Sequence, residues 1–82
     1  MTTAEMTREL TRMQRKVKAA NVLDSSAART ALAAIARARY ALKASNFSDA
    51  ARADTYAVTM TTCEYALRAM AAEVTYYTLT AA

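Results

Sequence analysis

The sequence contains no glycine, proline, histidine or tryptophan, and its only cysteine is Cys63. Because glycine and proline are missing, neither of the strong helix breakers interrupts the chain. The absence of histidine removes the commonest metal ligand and the side chain that most readily transfers protons near neutral pH. A single cysteine forms neither an intrachain disulfide nor a thiolate zinc site. We therefore expect Cys63 to be a small buried hydrophobe, with a reactive or interchain thiol as the alternative.

Long apolar runs and clustered carboxylates are also missing. No run approaches the roughly 20 apolar residues of a membrane span. Residues 1–10 carry charges at Glu5, Arg8 and Glu9, where a signal peptide has its apolar region. Apart from Glu5 and Glu9, no two carboxylates have a helical spacing that converges on a shared ion or proton. We therefore expect a cytoplasmic protein that is not an enzyme, with no cofactor, metal, small-molecule substrate or membrane partner.

Alanine occupies 22 of the 82 positions, which favours helix throughout the chain. We predict helices over about residues 3–20, 25–45 and 48–78, in a single helical domain that spans residues 1–82. The predicted fold class is all-α: a small three-helix bundle or helical hairpin with a long C-terminal helix. A chain of this length has a small core, so we expect helix-on-helix packing or self-association to supply part of the stability. The N-cap candidates are Thr2 with Glu5 as a capping box, then Asp24, Ser25 or Ser26, and Ser48.

The two asparagines of the chain stand at the predicted ends of the first two helices. Asparagine tolerates the left-handed conformation that often closes a helix, so we predict that conformation at Asn21 and Asn46. The apolar residue that follows each asparagine, Val22 or Phe47, would then fold back onto the last helical turn.

Each predicted helix carries an apolar stripe with spacings of three and four residues. The stripe of the third helix is an unbroken heptad pattern about six turns long, which predicts packing against the other helices. A second, thinner strip on the middle helix suggests that this helix has two neighbours. The three main stripes are Met6, Leu10, Met13, Val17 and Ala20; Ala28, Ala31, Leu32, Ile35, Ala38 and Leu42; and Tyr56, Met60, Cys63, Leu67, Met70, Val74 and Tyr77, while the thinner strip is Ala33, Ala36 and Tyr40.

The third predicted helix is too long for its two neighbours. At about 1.5 Å per residue it measures about 45 Å, against about 27 Å for each of the others. Either this helix bends or breaks near Thr59, or its end overhangs the bundle and exposes Tyr76, Tyr77 and Leu79. The alternative is that residues 75–80 are not helical, because valine, tyrosine and threonine favour strands.

Tyrosines outside the main stripes indicate an interaction surface. Tyrosine is enriched at protein interfaces because it combines a large area with a polar tip. The alternative is that each tyrosine only covers a neighbouring helix. Tyr65 and Tyr76 form a second apolar stripe on the third helix with Val58 and Leu79, and a helix with two apolar stripes has two neighbours to contact. The predicted partner-binding residues are Tyr40, Tyr65, Tyr76, Tyr77 and Leu79.

The chain has a formal charge of +4, and five of its 11 basic residues lie in the first predicted helix. A basic helix of this kind can neutralise several phosphates, so the alternative function is a small nucleic-acid-binding protein. A charged face opposite an apolar stripe is also typical of an amphipathic helix that is simply solvated. The basic face consists of Arg8, Arg12, Arg15, Lys16 and Lys18.

The function that we expect is a non-enzymatic protein–protein interaction module that binds a larger protein complex or a second copy of itself. Small proteins without catalytic groups often act by covering a surface of a larger complex. Inhibitors encoded by phages or mobile elements, including anti-CRISPR proteins, are one such group, and no motif here identifies one. The excess of arginine over lysine, with abundant alanine, fits a GC-rich bacterial or phage genome. A phage-encoded protein would act in the host cytoplasm.

Overall fold

The computed structural model describes residues 1–81, which form three α-helices: α1 (Thr3–Ala20), α2 (Ser26–Lys43) and α3 (Asp49–Thr80). Each helix packs against the other two, and the described residues contain no strand. The predicted all-α three-helix bundle with a long C-terminal helix is therefore confirmed. The observed helix ends lie within two residues of the predicted ones. Ala82, the last residue of the predicted domain, lies outside the described residues.

The helix starts follow the predicted polar caps. The Thr2 hydroxyl accepts a hydrogen bond from the Glu5 amide at 3.1 Å, and the Glu5 carboxylate accepts one from the Thr2 amide at 3.0 Å. This capping box satisfies two backbone donors that the first turn leaves free. Of the three candidates before α2, Ser25 is the cap, and its hydroxyl accepts from the Ala27 amide. Ser48 caps α3 in the same way, by accepting from the Ala51 amide.

The predicted left-handed asparagine at the end of α1 is wrong. Asn21 has a φ of −84°, and among the described residues only Asp24 has a positive φ, at 51°. The Asn21 side chain instead accepts a hydrogen bond from the Ser25 amide at 2.7 Å. Val22 is 69% exposed and does not cover Val17 as expected. Asn21 therefore organises the α1–α2 loop through its side chain.

The end of α2 is closed by a residue of α3. The helix stops at Lys43, its cap residue Ala44 has an extended backbone, and Asn46 is not left-handed as predicted. Arg52 donates hydrogen bonds from Nη2 to the Ala44 carbonyl at 2.7 Å and from Nε to the Ala41 carbonyl at 3.4 Å. The last carbonyls of a helix lack hydrogen-bond donors within the helix. The Arg52 guanidinium supplies donors here, as backbone amides do where a helix ends in a left-handed residue.

The core forms along the predicted stripes. Most of their members are buried, and Ala20, Leu32, Tyr56, Met60 and Leu67 pack partly buried against them. The thinner strip of α2 was wrongly expected to face a neighbouring helix, because Ala33, Ala36 and Tyr40 are exposed. Within the helices, the stripes omitted four buried residues: Ala34, Ala41, Thr59 and Ala66.

The far end of α3 overhangs the bundle, as one of the two predicted arrangements requires. The Ser25 hydroxyl donates a hydrogen bond to the Glu73 carboxylate at 2.9 Å, so the α1–α2 loop meets α3 at Glu73. Residues 74–80 continue as helix for about 10 Å beyond this contact. The alternative that residues 75–80 are not helical is therefore wrong, and so is a break near Thr59. We call residues 74–80 the overhang. The molecule measures 53 × 16 × 16 Å, so its length is that of α3.

Candidate interaction surface

One face of α3 carries exposed, mainly apolar side chains from Val58 to Leu79. Seven exposed residues spaced by three or four positions form a line that we call the outer stripe. The four large members, Val58, Tyr65, Tyr76 and Leu79, are 62% to 74% exposed. None of the seven is charged, so the stripe is an uncharged line of large and small side chains. Its members are Val58, Thr61, Tyr65, Ala69, Ala72, Tyr76 and Leu79.

The outer stripe borders a shallow groove between α2 and α3. Three adjoining depressions of 370 to 570 Å³ share lining residues, so they form one continuous groove. Tyr65 lies toward one end of this groove, and Tyr40 and Phe47 lie at the other end. Between them the lining is mostly alanine and threonine, with the charged residues Arg37 and Asp54 in the middle. Small side chains in such a groove allow another helix to approach closely.

A further depression of about 370 Å³ lies on the outer stripe itself. It lies between Val58 and Tyr65, and its lining is mainly apolar. This depression is large enough to receive an aromatic side chain. Its lining residues are Ala57, Val58, Thr61, Thr62 and Tyr65.

Two aromatic contacts fix side chains along α3. The Tyr76 and Tyr77 rings meet edge to face, with centroids 5.4 Å apart and an interplanar angle of 82°. The Arg68 guanidinium lies 5.8 Å from the Tyr65 ring centroid, within cation–π range. Tyr77 continues the core stripe of α3 into the overhang, where it is exposed because α1 and α2 have already ended.

The basic face lies on a different side of the molecule from the groove. All five of its residues are exposed on α1, whereas α2, α3 and the loop between them line the groove. With Glu5 and Glu9 included, α1 has a net charge of +3 out of +4 for the whole chain. Arg12 forms an exposed ion pair with Glu9 at 2.8 Å, which is a weak interaction. The concentrated positive charge of α1 and the outer stripe of α3 are thus on separate surfaces.

The groups with shifted pKa values lie at a helix cap and in the core. Hydrogen bonds from Thr2 lower the pKa of the Glu5 carboxyl. Burial, followed by the nearby Glu9 charge, raises the pKa of the half-buried Tyr56. Burial, followed by the Glu64 charge, raises the pKa of the Cys63 thiol, and Cys63 is fully buried as expected. These shifts reflect packing and capping and do not coincide with the outer stripe.

The structure brings together three of the five predicted partner-binding residues. Tyr65, Tyr76 and Leu79 share the outer stripe, while Tyr77 is about a quarter turn away on the overhang and Tyr40 is at the far end of the groove. Sequence reasoning missed the groove lining, because it depends on which faces of α2 and α3 adjoin. It also missed the exposed loop residues Val22 and Leu23, whose apolar character in a loop was the available signal.

Comparison of the chain with protein-family models, curated proteins and solved structures finds no match. None of the helices within residues 1–81 combines the length and apolar character needed to cross a membrane. In the same residues, no three cysteine, aspartate or glutamate side chains are grouped so as to hold a metal ion. Any proposal of function therefore rests on the surfaces described above.

Proposed function

We propose that this protein is a non-enzymatic protein–protein interaction module that binds through the outer stripe of α3 and the adjoining α2/α3 groove. The observation that carries the proposal is the uncharged line of four large exposed side chains, from Val58 to Leu79, on one continuous helix. Contiguous apolar patches on small proteins commonly mark interaction sites. Aromatic residues are enriched in such sites, and Tyr65 and Tyr76 supply them here.

The geometry of α3 favours recognition of another helix. A straight line of side chains beside an open groove matches the way that an amphipathic helix docks, with anchors at intervals of three, four and seven residues. The overhang adds about two further turns that the chain's own helices leave exposed. Burial of this segment by a partner removes apolar surface from water, which stabilises the complex by about 25 cal/mol for each Å² buried.

The test is the double variant Tyr65→Ala with Tyr76→Ala. Both side chains are exposed, so we expect the variant to keep its circular dichroism spectrum and melting temperature. We expect it to lose binding, measured as co-purification of tagged protein with an untagged second copy or with another specific protein. Val22→Ala, at an equally exposed apolar position on the α1–α2 loop, is the matched control and should retain binding. Unfolding of the double variant, or the absence of any binding by the wild type, would contradict the proposal.

A narrower form of the proposal is an inhibitor encoded by a phage or mobile element, of the anti-CRISPR kind, acting in the host cytoplasm. Its support is the small size of the chain and the presentation of the binding stripe on a rigid helix. The test is infection of CRISPR-immune bacteria by phage that carries the gene. We expect the wild-type gene to restore plaques and the gene for the double tyrosine variant to fail. Equal plaque counts with and without the gene would refute the inhibitor.

A second candidate function is nucleic-acid binding by the basic face. The observation that favours it is the concentration of charge on α1, where all five basic side chains are exposed on one surface. Phosphate contacts make affinity fall as salt rises, by roughly one power of the salt concentration for each phosphate neutralised. We expect Arg8→Gln, Arg12→Gln and Arg15→Gln together to abolish retention on DNA or RNA at low salt. Failure of the wild type to be retained at low salt would end this candidate.

A further inference from the structure

We infer that the outer stripe of α3 binds the same stripe of a second copy of this chain, with the two α3 helices antiparallel. The inference rests on the proposed function and names the occupant of its binding surface. The twofold axis passes between Arg68 and Ala69, so residues whose numbers are equally far from this point face each other.

This register matches large side chains with small ones. Tyr65 of one copy faces Ala72 of the other, and Tyr76 faces Thr61, while Val58 and Leu79 pair at the two ends. Large and small side chains in alternation let two helices pack closely without voids. Because the pairing is symmetric, every contact occurs twice, as an isologous interface requires.

The depression on the outer stripe is at the position where this register needs it. Thr61 lines this depression, and in this register Tyr76 of the second copy lies opposite Thr61. In the same way, the overhang of each copy, residues 74–80, lies along residues 57–63 of the other. Tyr76 and the shallow depression around Thr61 are therefore on the same helix, at equal distances on either side of the axis. In the dimer, Tyr76 of each copy covers the depression of the other.

The available area and charge also fit a dimer. The two tyrosines alone expose roughly 250 Å² per copy, given the usual area of aromatic side chains and their exposed fractions. Val58, Leu79 and the small residues between them add to this area, which stays below the about 800 Å² per partner of a standard interface and is that of a small one. The seven residues of the stripe are uncharged. In this register the charged Arg68 faces Ala69 of the second copy beside the axis, and its guanidinium lies over the Tyr65 ring of its own chain.

The decisive experiment is a mixing test with two charged variants, read by sedimentation equilibrium. Val58→Lys and Leu79→Glu each place one charge against an apolar side chain, so each alone should weaken the dimer by at least about tenfold. An equimolar mixture of the two should form a dimer again. In that mixed dimer the introduced lysine of one chain faces the introduced glutamate of the other, while the unchanged Leu79 and Val58 pair at the opposite end. Val22→Lys is the matched control for the valine change and should leave the wild-type dimer intact.

A second measurement covers the case in which a charged variant fails to fold. Ala69→Cys places an exposed thiol next to the axis, so we expect a disulfide-linked dimer under mild oxidation. Wild type, whose Cys63 is buried, and Ser45→Cys, which is far from the axis, should stay unlinked.

A wild type that remains monomeric at high concentration would overturn the dimer. A dimer that Val58→Lys and Leu79→Glu leave unchanged, or that their mixture does not restore, would overturn this register. In either case, specific binding of another protein that Tyr65→Ala with Tyr76→Ala abolishes would leave the proposed function standing.

Discussion

At the scale of single residues, Arg52 joins α3 to the end of α2. Arg52 lies on the first turn of α3. Its guanidinium donates hydrogen bonds to two carbonyls at the end of α2 and also contacts the Asp49 carboxylate at 3.3 Å. Hydrogen bonds from a charged donor contribute more than neutral ones, about 1.5–3 kcal/mol each in favourable cases. The Asp49 partner is fully exposed, so we assign that ion pair little weight.

We predict that Arg52→Met lowers the free energy of unfolding by about 2 kcal/mol, because the carbonyls of Ala41 and Ala44 lose their charged donor. Arg8→Met is the control, since Arg8 is exposed on α1, and it should change stability by less than about 0.5 kcal/mol. Urea unfolding followed by circular dichroism measures both values. Equal effects of the two substitutions would show that Arg52 does not close α2.

The same residue shows why helix ends were harder to predict than helix starts. Each start is set by a side chain within three residues, as at Thr2 and Ser48, and the sequence displays that pattern directly. The end of α2 depends on Arg52, eight positions beyond Ala44, which only the folded bundle brings into place. Asn21 likewise acts through its side chain, which accepts a hydrogen bond from the Ser25 amide, and its backbone is not left-handed.

At the scale of elements, apolar periodicity predicted which face of each helix is buried. Periodicity works because burial follows the helical repeat, so residues such as Leu10, Ile35 and Met70 fall at predicted positions. It does not reveal which neighbour a face meets. The α2/α3 groove and the exposure of Tyr40 depend on the relative rotation of two helices, which packing sets and local sequence does not.

The two N-cap serines of α2 and α3 offer a matched comparison at this scale. Ser48 is an exposed cap, whereas Ser25 is buried and also donates a hydrogen bond to Glu73. Loss of either cap costs about 1 kcal/mol. We predict that Ser25→Ala costs about 1 kcal/mol more than Ser48→Ala, because it also leaves the Glu73 carboxylate without its partner. Thermal unfolding of the two variants tests this, and equal melting temperatures would contradict a role for Ser25 in joining the α1–α2 loop to α3.

At the scale of the whole molecule, exposed surfaces of different character lie on different sides. The basic face on α1 carries most of the net charge, and the outer stripe of α3 carries two of the four exposed tyrosines, Tyr65 and Tyr76. The overhang could be anticipated from the mismatch in helix lengths, which the sequence already displays. The continuous groove and the depression beside Thr61 could not, because they arise only when α2 and α3 are packed.

The most direct test of the central claim, that the outer stripe of α3 pairs with the same stripe of a second copy, is amide hydrogen exchange of α3 at low and high protein concentration. An unpartnered overhang frays, so its amides should exchange rapidly in the monomer. We predict that residues 76–80 become strongly protected at high concentration, while the amides of Val22 and Leu23 in the α1–α2 loop exchange equally fast under both conditions. Exchange of residues 76–80 that is rapid and independent of concentration would contradict the account.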